Sequence, residues 1–399
     1  MSVYYNGNEV SEIVYGTGDT GKLNFKAIGY SDVPEPLKDG LEYAKEIQEN
    51  WKGNETNLSN KFKGHTKLVF LPPIDFSKAT DMDNCFSDCY CLSSLPEEVC
   101  FSNVTSMANC FASCYSLGVI PPMDTSKVTN FRYCFLSTKI KSINLDTTSA
   151  TNMDSTFYGC IFLKEVNFTD TSKVTDFQEC FRGCSELEEI NPFSTSSATT
   201  LSGLFMKCSK LLQAPILSTS SVKSMSECFS DCTRLMEIPD WDYSNVTNFS
   251  GFCSSCMGLT VAREMDTSKA TNLGMFYNCK NLKRIEGLSF KSMGSISYSS
   301  SFIFSSTSNN NVTRYILLKD IGTNSSCTKL VMTSAQVWGI DSDEIPDARQ
   351  SLIDSLLTYS FDRRAAGYSD CTIQLYKDVK AVLTSEELAS IQAKGYIIS

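Results

Sequence analysis

A unit of about 24 residues recurs from residue 53 to residue 287, reading approximately Asp-x-Ser-x-Val/Ala-Thr-x-Met/Phe-x-x-x-Phe-x-x-Cys-x-x-Leu-x-x-Ile-Pro. Aligned on its final Cys, the copies carry Cys89, Cys114, Cys160, Cys184, Cys208, Cys232, Cys256 and Cys279, with Thr138 in that place once and His65 in a degenerate first copy. The spacings stay between 22 and 25 residues. A unit this short cannot bury its own apolar face, so about ten copies must stack into one continuous core, a solenoid. Such an array offers a long surface rather than a pocket.

The repeat leaves two flanks of the 399-residue chain, 1–52 and 288–399. The net charge is −10, and the 35 Lys and Arg residues are scattered, which gives no source for phosphate neutralisation and argues against nucleic acid as a partner. The first ten residues lack the basic start and apolar core of a secretory signal, and no apolar run approaches the roughly 20 residues of a membrane span. These features predict a chain that is neither exported by general secretion nor inserted in a membrane.

In the first flank, Val- and Tyr-rich runs around Asn6-Gly7 predict a small hairpin. Leu37, Leu41, Ala44, Ile47 and Trp51 recur at helical spacing and predict a helix that caps the first rung. After the Ser-rich stretch 289–308, strands are expected at Tyr315–Leu318, Leu330–Met332 and Thr372–Tyr376, and helices at 346–359 and from Thr384. Thr384 with Glu387 makes a capping box, and Gly395 is a stop. The flanks are thus expected to be small α+β caps.

Within one unit the apolar residues fall at offsets 0, 3, 7 and 10, one face of a short helix, with the preceding Thr as its N-cap. Thr80 with Asp83, Thr151 with Asp154 and Thr175 with Gln178 would close the reciprocal bond. Leu-x-x-Ile-Pro predicts a short strand, as in Leu117 with Ile120 or Leu187 with Ile190, and stacked strands give a parallel sheet. Helices need about 8–10 Å between neighbours and strands about 4.8 Å, so an α/β stack of this kind is expected to curve into an arc.

Cys-x-x-x-Cys occurs at Cys85/Cys89, Cys110/Cys114, Cys180/Cys184 and Cys228/Cys232, which invites a metal reading. The first column also accepts Thr156, Leu204, Phe252 and Met275, a set that suits a core and not a ligand shell, so Cys is read as a small hydrophobe. Bridges between rungs 8–10 Å apart are disfavoured, although one pair among Cys91, Cys100, Cys253, Cys327 and Cys371 could still join. Asp75, Asp124, Asp146, Asp170, Asp242 and Asp266 resemble a calcium ladder, but Ser194 and Ser218 replace them in two rungs and Asp-x-Ser is ordinary turn chemistry. His65 is the only imidazole, and no phosphate loop, nucleophile elbow or zinc-protease motif accompanies it. No catalytic residue, metal or cofactor is expected.

The repeat, for instance Met123-Asp-Thr-Ser-Lys-Val-Thr-Asn-Phe131 followed by Cys134-Phe135, resembles the BspA-like leucine-rich repeat family over about 60% of the chain. The resemblance implies surface-exposed recognition proteins, including bacterial adhesins, and related repeats occur in phage virion proteins. The segments 349–360 and 383–399 are similar to tails on such proteins from gut Bacteroidales and their phages. Together with the lack of a signal, this gives the expectation of a non-enzymatic virion protein (tail, fibre or baseplate) that recognises a protein or glycan receptor and docks to virion structural proteins through a flank. A bacterial cell-surface adhesin is the alternative, and a carbohydrate-active enzyme the third reading. The candidate contact strip is Lys164, Glu165, Glu188, Glu189, Gln213, Glu237, Lys283 and Arg284, with Trp241 as a sugar-stacking platform that shares its column with Ile74, Met123, Phe193, Leu217 and Met265.

Overall fold

The computed structural model describes residues 3–5, 8–10, 35–72, 74–97, 99–289, 291–292, 315–320, 325, 327, 329–332, 346–375 and 380–399. The chain divides into two compact units, Met1–Asp176 with Cys180–Leu187, and Phe177–Glu179 with Glu188–Ser399. Both contain the repeat, and the same hydrogen-bond scheme builds the rungs of each.

The helix expected in every unit is absent: from residue 53 to 289 the described residues form turns, bridges and short strands. The segment Met82–Cys89 shows why. Cys85, Ser87 and Cys89 close turns by donating to the carbonyls of Met82, Asn84 and Phe86. Met82, Asn84, Phe86 and Asp88, in alternation with them, donate instead to Ser106, Ala108, Cys110 and Ala112 of the next rung at 2.7–3.0 Å. Asn84 and Asp88 take left-handed backbone, φ 57° and 63°, each at the third position of a turn, the place at which a type II turn needs φ > 0. The pair recurs as Asn109/Ser113, Tyr133/Ser137, Ser155/Gly159, Glu179/Gly183, Gly203/Lys207, Glu227/Asp231 and Gly251/Ser255.

The capping residue is also different from the one expected. The Oδ1 atoms of Asp81 and Asn152, the residues after Thr80 and Thr151, accept the N–H groups of Asp83 and Asp154. Thr80, Thr105, Thr129, Thr151 and Thr175 instead point their hydroxyls back along the stack, each to the carbonyl of the preceding Thr, starting at Thr56. Beside this threonine ladder the chain pairs in parallel through single bridges, Asn57–Asp81–Ser106–Asn130–Asn152–Asp176 in the first unit and Thr200–Ser224–Asn248–Asn272 in the second.

Expected strands form only where proline is missing. Ser142–Leu145 (β3) pairs with Glu165–Phe168 (β4), and Val261–Ala262 (β5) with Arg284–Ser289 (β6), all in parallel. In the other rungs Pro72, Pro96, Pro121, Pro192, Pro215 or Pro239 follows the apolar pair, and a residue without an N–H cannot continue the ladder. Tyr315–Lys319 (β7), beyond the last copy of the repeat, adds a further parallel strand to β6.

Inside the first unit, Phe62, Phe86, Phe111, Phe135, Phe157 and Phe181 stack at centroid distances of 5.2–5.7 Å with planes within 8° of parallel. Phe205 and Phe229 stack in the second at 5.7 Å with 12° between planes. The turn side of each rung thus repeats at close to the strand spacing. The mismatch between helix and strand widths, from which an arc was expected, has no source here.

Val3–Tyr5 (β1) and Asn8–Val10 (β2) pair antiparallel, while the turn at Asn6-Gly7 lies outside the described residues. The helix Glu35–Asn50 (α1) packs Ala44 against Phe70 and Val69 of the first rung. Gly40 permits the approach, since a Cβ there would lie 2.6 Å from Val69 Cγ2. Trp51 follows, stacks on Phe62 and donates its indole N–H to the Asp75 carbonyl at 3.1 Å. In the C-terminal flank Lys329–Met332 (β8), Cys371–Leu375 (β9) and Tyr396–Ile398 (β10) form a parallel sheet in the order β10-β9-β8. The helix Pro346–Ile353 (α2) passes into a π-helical turn at Asp354–Thr358, and Ser385–Ala393 (α3) has the expected Thr384/Glu387 capping box, with Gly395 at φ 89° beyond it.

The left-handed positions give a test. Asn84→Gly should leave stability within about 0.5 kcal/mol, whereas Asn84→Val should lose about 1–3 kcal/mol because a β-branched side chain is strained at φ > 0. Urea unfolding of the two variants measures the difference.

Candidate binding surface

The strip predicted from the sequence occupies the two positions after the buried Leu of each rung. Lys164, Glu165, Glu188, Glu189, Gln213, Glu237 and Lys283 are exposed and Arg284 is half-buried. Lys164 and Glu165 belong to the first unit and the others to the second. Backbone bonds from Leu212 N–H to the Glu188 carbonyl and from Met236 N–H to the Leu212 carbonyl, both 3.2 Å, hold successive rungs of the second unit in register. Glu189, Gln213 and Glu237 consequently form one row across three rungs, separated by about one strand spacing of 4.8 Å. Exposed Met236 stands beside it, and Glu237 is paired with Arg263 at 3.0 Å. Arg284 bonds Glu286 at 3.2 Å.

Trp241 does not belong to the strip. Its ring is 5% exposed, lies 5.4 Å from Phe229 and donates Nε1–H to the Pro215 carbonyl at 3.0 Å. Ile74, Met123, Phe193, Leu217 and Met265 of the same column are buried too. A ring with both its face and its N–H engaged offers a sugar nothing, and Trp241 is core.

Two exposed aromatics were missed. Tyr90 and Tyr115 follow the core cysteines Cys89 and Cys114, are 42% and 50% exposed, and stack at 5.3 Å with 12° between planes. Ile161, in the same position after Cys160, is also exposed, as is its neighbour Phe162. Reading the residue after each core Cys as a surface column would have found them.

The recurrent Asp residues are turn-makers. Oδ1 of Asp75, Asp124, Asp146, Asp170, Asp242 and Asp266 accepts the N–H two residues on at 2.7–3.1 Å. These bonds hold carboxyls below the ordinary range, in Asp75 and Asp170 chiefly through the N–H of Ser77 and Ser172, in Asp146 and Asp242 chiefly through the hydroxyls of Thr148 and Ser244. The amides of Asn103 and Asn245 donate to the Ser77 and Ser220 carbonyls of the preceding rung. His65 sits half-buried between Tyr43 of α1 and Phe62. Among the described residues no three His, Cys, Asp or Glu side chains gather as a metal site, and no helix is long and apolar enough to cross a membrane.

The core cysteines do more than fill space. Sγ of Cys89, Cys114, Cys160, Cys184, Cys232 and Cys256 lies 3.0–3.2 Å from the Phe62, Phe86, Phe135, Phe157, Phe205 and Phe229 carbonyls of the preceding rung. Rungs one strand spacing apart remove the distance argument against bridges, yet these cysteines are free thiols. Burial pushes the Cys89 thiol up to about 12 and the Cys160 thiol to about 11.

Residues 56–160, 137–217 and 217–315 match the family described as Mycoplasma protein of unknown function, DUF285. The chain belongs to this family of tandem repeats, in agreement with the BspA-like leucine-rich repeat character read from the sequence. Two solved structures are similar. A leucine-rich repeat protein from Bacteroides ovatus ATCC 8483 is 13% identical, with 86% of each chain covered and a TM-score of 0.38. Another from Eubacterium ventriosum ATCC 27560 is 17% identical, with 60% of this chain and 82% of that one covered and a TM-score of 0.30. No curated protein matches.

The thiol ladder predicts an alkaline limit. A thiol whose pKa is raised by folding contributes stability that is full below its unfolded value near 9 and is lost as pH rises towards the folded value. The melting temperature should therefore fall between pH 9 and 11. Cys160→Thr, which installs the residue found in this column at Thr138, should reduce the fall by about 1.4 kcal/mol per pH unit, read from melting curves across that window.

Proposed function

We propose that the chain is a non-enzymatic binding protein whose surface rows hold an extended ligand, and that it serves as a virion component, in the tail, fibre or baseplate of a phage, recognising a protein or glycan receptor on a bacterial surface. The row Glu189–Gln213–Glu237 carries the binding reading. It presents equivalent polar positions on successive rungs whose spacing is fixed by the backbone, an arrangement suited to a polymer or an extended chain and typical of repeat arrays. A polar ligand with hydroxyl or amide donors complements its carboxylates and amide.

The virion assignment is supported by the resemblance of the repeats and of the C-terminal segments to phage-borne relatives, with a flank as the attachment to other virion proteins. A cell-surface adhesin would use the same rows, and location separates the two. Immunogold labelling of purified phage particles with antibody to residues 300–399 should place gold on the tail or fibres; gold on bacterial cells with bare particles would overturn the virion reading. For the surface itself, the E189A/Q213A/E237A variant should bind receptor-bearing cells about ten-fold more weakly, about 1.4 kcal/mol, with an unchanged circular dichroism spectrum. Unaltered binding would remove the row from the interface.

A further inference from the structure

Two cysteines stand apart from the repeat. Cys327 precedes β8 and Cys371 opens β9, parallel neighbours in the C-terminal sheet whose register pairs Lys329 with Thr372. Their sulfur atoms are 3.3 Å apart across 44 residues of chain, and both are buried. This differs from the thiol ladder, where each sulfur faces a backbone carbonyl of the preceding rung. Here sulfur faces sulfur.

The surroundings favour exchange chemistry. Arg363 is fully buried beside the pair, held by donation from Nε to the Ser369 carbonyl at 2.9 Å and by contact with the Tyr368 ring. The hydrogen bond from Cys371 lowers the Cys327 thiol from its ordinary value, opposed by burial and aided by the Arg363 charge, while the same contact raises that of Cys371. A thiolate is the attacking species in exchange, and nearby positive charge favours it.

We propose that Cys327 and Cys371 are a disulfide-forming pair, a covalent cross-link from the residue two positions before β8 to the first residue of β9, made by exchange with a small external disulfide as the C-terminal module folds. The Cys327 thiolate attacks one sulfur of an oxidant such as oxidised glutathione, forming a mixed disulfide and expelling one glutathione thiolate. Cys371 then attacks the Cys327 sulfur, its proton passes to the second departing glutathione, and the protein bridge closes. Two protein thiols lose two electrons and two protons, and one glutathione disulfide becomes two thiols. The bridge closes 44 residues of chain into a covalent ring, which restricts the unfolded chain.

The test uses the full chain, refolded with oxidised glutathione, alkylated and digested with trypsin without reduction. Peptides 320–329 and 365–377 should appear joined, two hydrogens lighter than their sum, with the ladder cysteines alkylated. Oxidation should raise the melting temperature of the C-terminal module by about 5 °C or more, a rise that dithiothreitol reverses and that Cys327→Ser lacks. Recovery of Cys327 and Cys371 as alkylated thiols after oxidation, or joined to ladder cysteines instead, would overturn the proposal. The peptide map needs no variant, so it decides the question even where a Cys327→Ser protein fails to fold.

Discussion

The structure depends on a backbone that alternates its hydrogen bonds between its own turn and the next rung. Alternate turns put a residue at φ > 0, and several of these are not glycine: Tyr133, Glu179, Lys207 and Glu227 all lie at 51–63°. Such conformations cost of order 1–3 kcal/mol each. They persist because the left-handed residue is also the donor along the stack, as in Tyr133 N–H to the Asp154 carbonyl at 2.9 Å and Glu227 N–H to the Ser250 carbonyl at 2.7 Å. A solitary rung would keep the strain and lose the bond. Stability is therefore a property of neighbours, which explains why the short unit occurs only in tandem.

Much of this was legible in the sequence, and the misreading has a definite cause. The inward residues Met82, Cys85, Phe86 and Cys89 fall at offsets 0, 3, 4 and 7, the pattern of one helical face. A chain of linked turns whose left-handed positions recur four residues apart, as at Asn84 and Asp88, gives the same pattern. The distinguishing signal was present: Asn60, Asn84 and Asn109 occupy one left-handed position, and Gly64, Gly159 and Gly183 the other. Asn and Gly at fixed places in the middle of a supposed helix contradict it, since both are poor helix formers and tolerate φ > 0. The turn at Asp-x-Ser and the Thr384 cap were readable because a side chain two or three residues away decides them. Strand formation depends on having two adjacent rungs without proline, a condition visible only when copies are compared.

The surface follows from the same scheme. Because successive rungs within each unit are locked together through their backbone, side chains that leave the core do so in rows, and substitutions within a row change chemistry without moving position. Tyr90 and Tyr115 show the aromatic version, and Glu189, Gln213 and Glu237 the polar one. Trp241 was misplaced as a candidate because its size suggested a platform, while its column neighbours Leu217 and Met265 already marked the position as interior.

The two cysteine columns look alike in sequence but answer to different physics. Positions equivalent to Cys85 accept Thr156, Leu204, Phe252 and Met275, so they demand only volume in an apolar interior. Positions equivalent to Cys89 accept Thr138 and otherwise stay Cys through the repeats that follow the degenerate first copy, which is the pattern of a small side chain that must also donate. The acceptor explains it: the Phe86 carbonyl already takes the Cys89 N–H at 3.1 Å and uses its second lone pair for Cys114 Sγ at 3.1 Å. Valine would fill that space and leave the lone pair bare, whereas serine or threonine would preserve the donor. Oxidation of a ladder thiol would remove its hydrogen from a buried acceptor. In Cys327 and Cys371 the sulfurs face each other at 3.3 Å, and the carbonyl contact of Cys371 Sγ, to Thr372, is long at 3.9 Å.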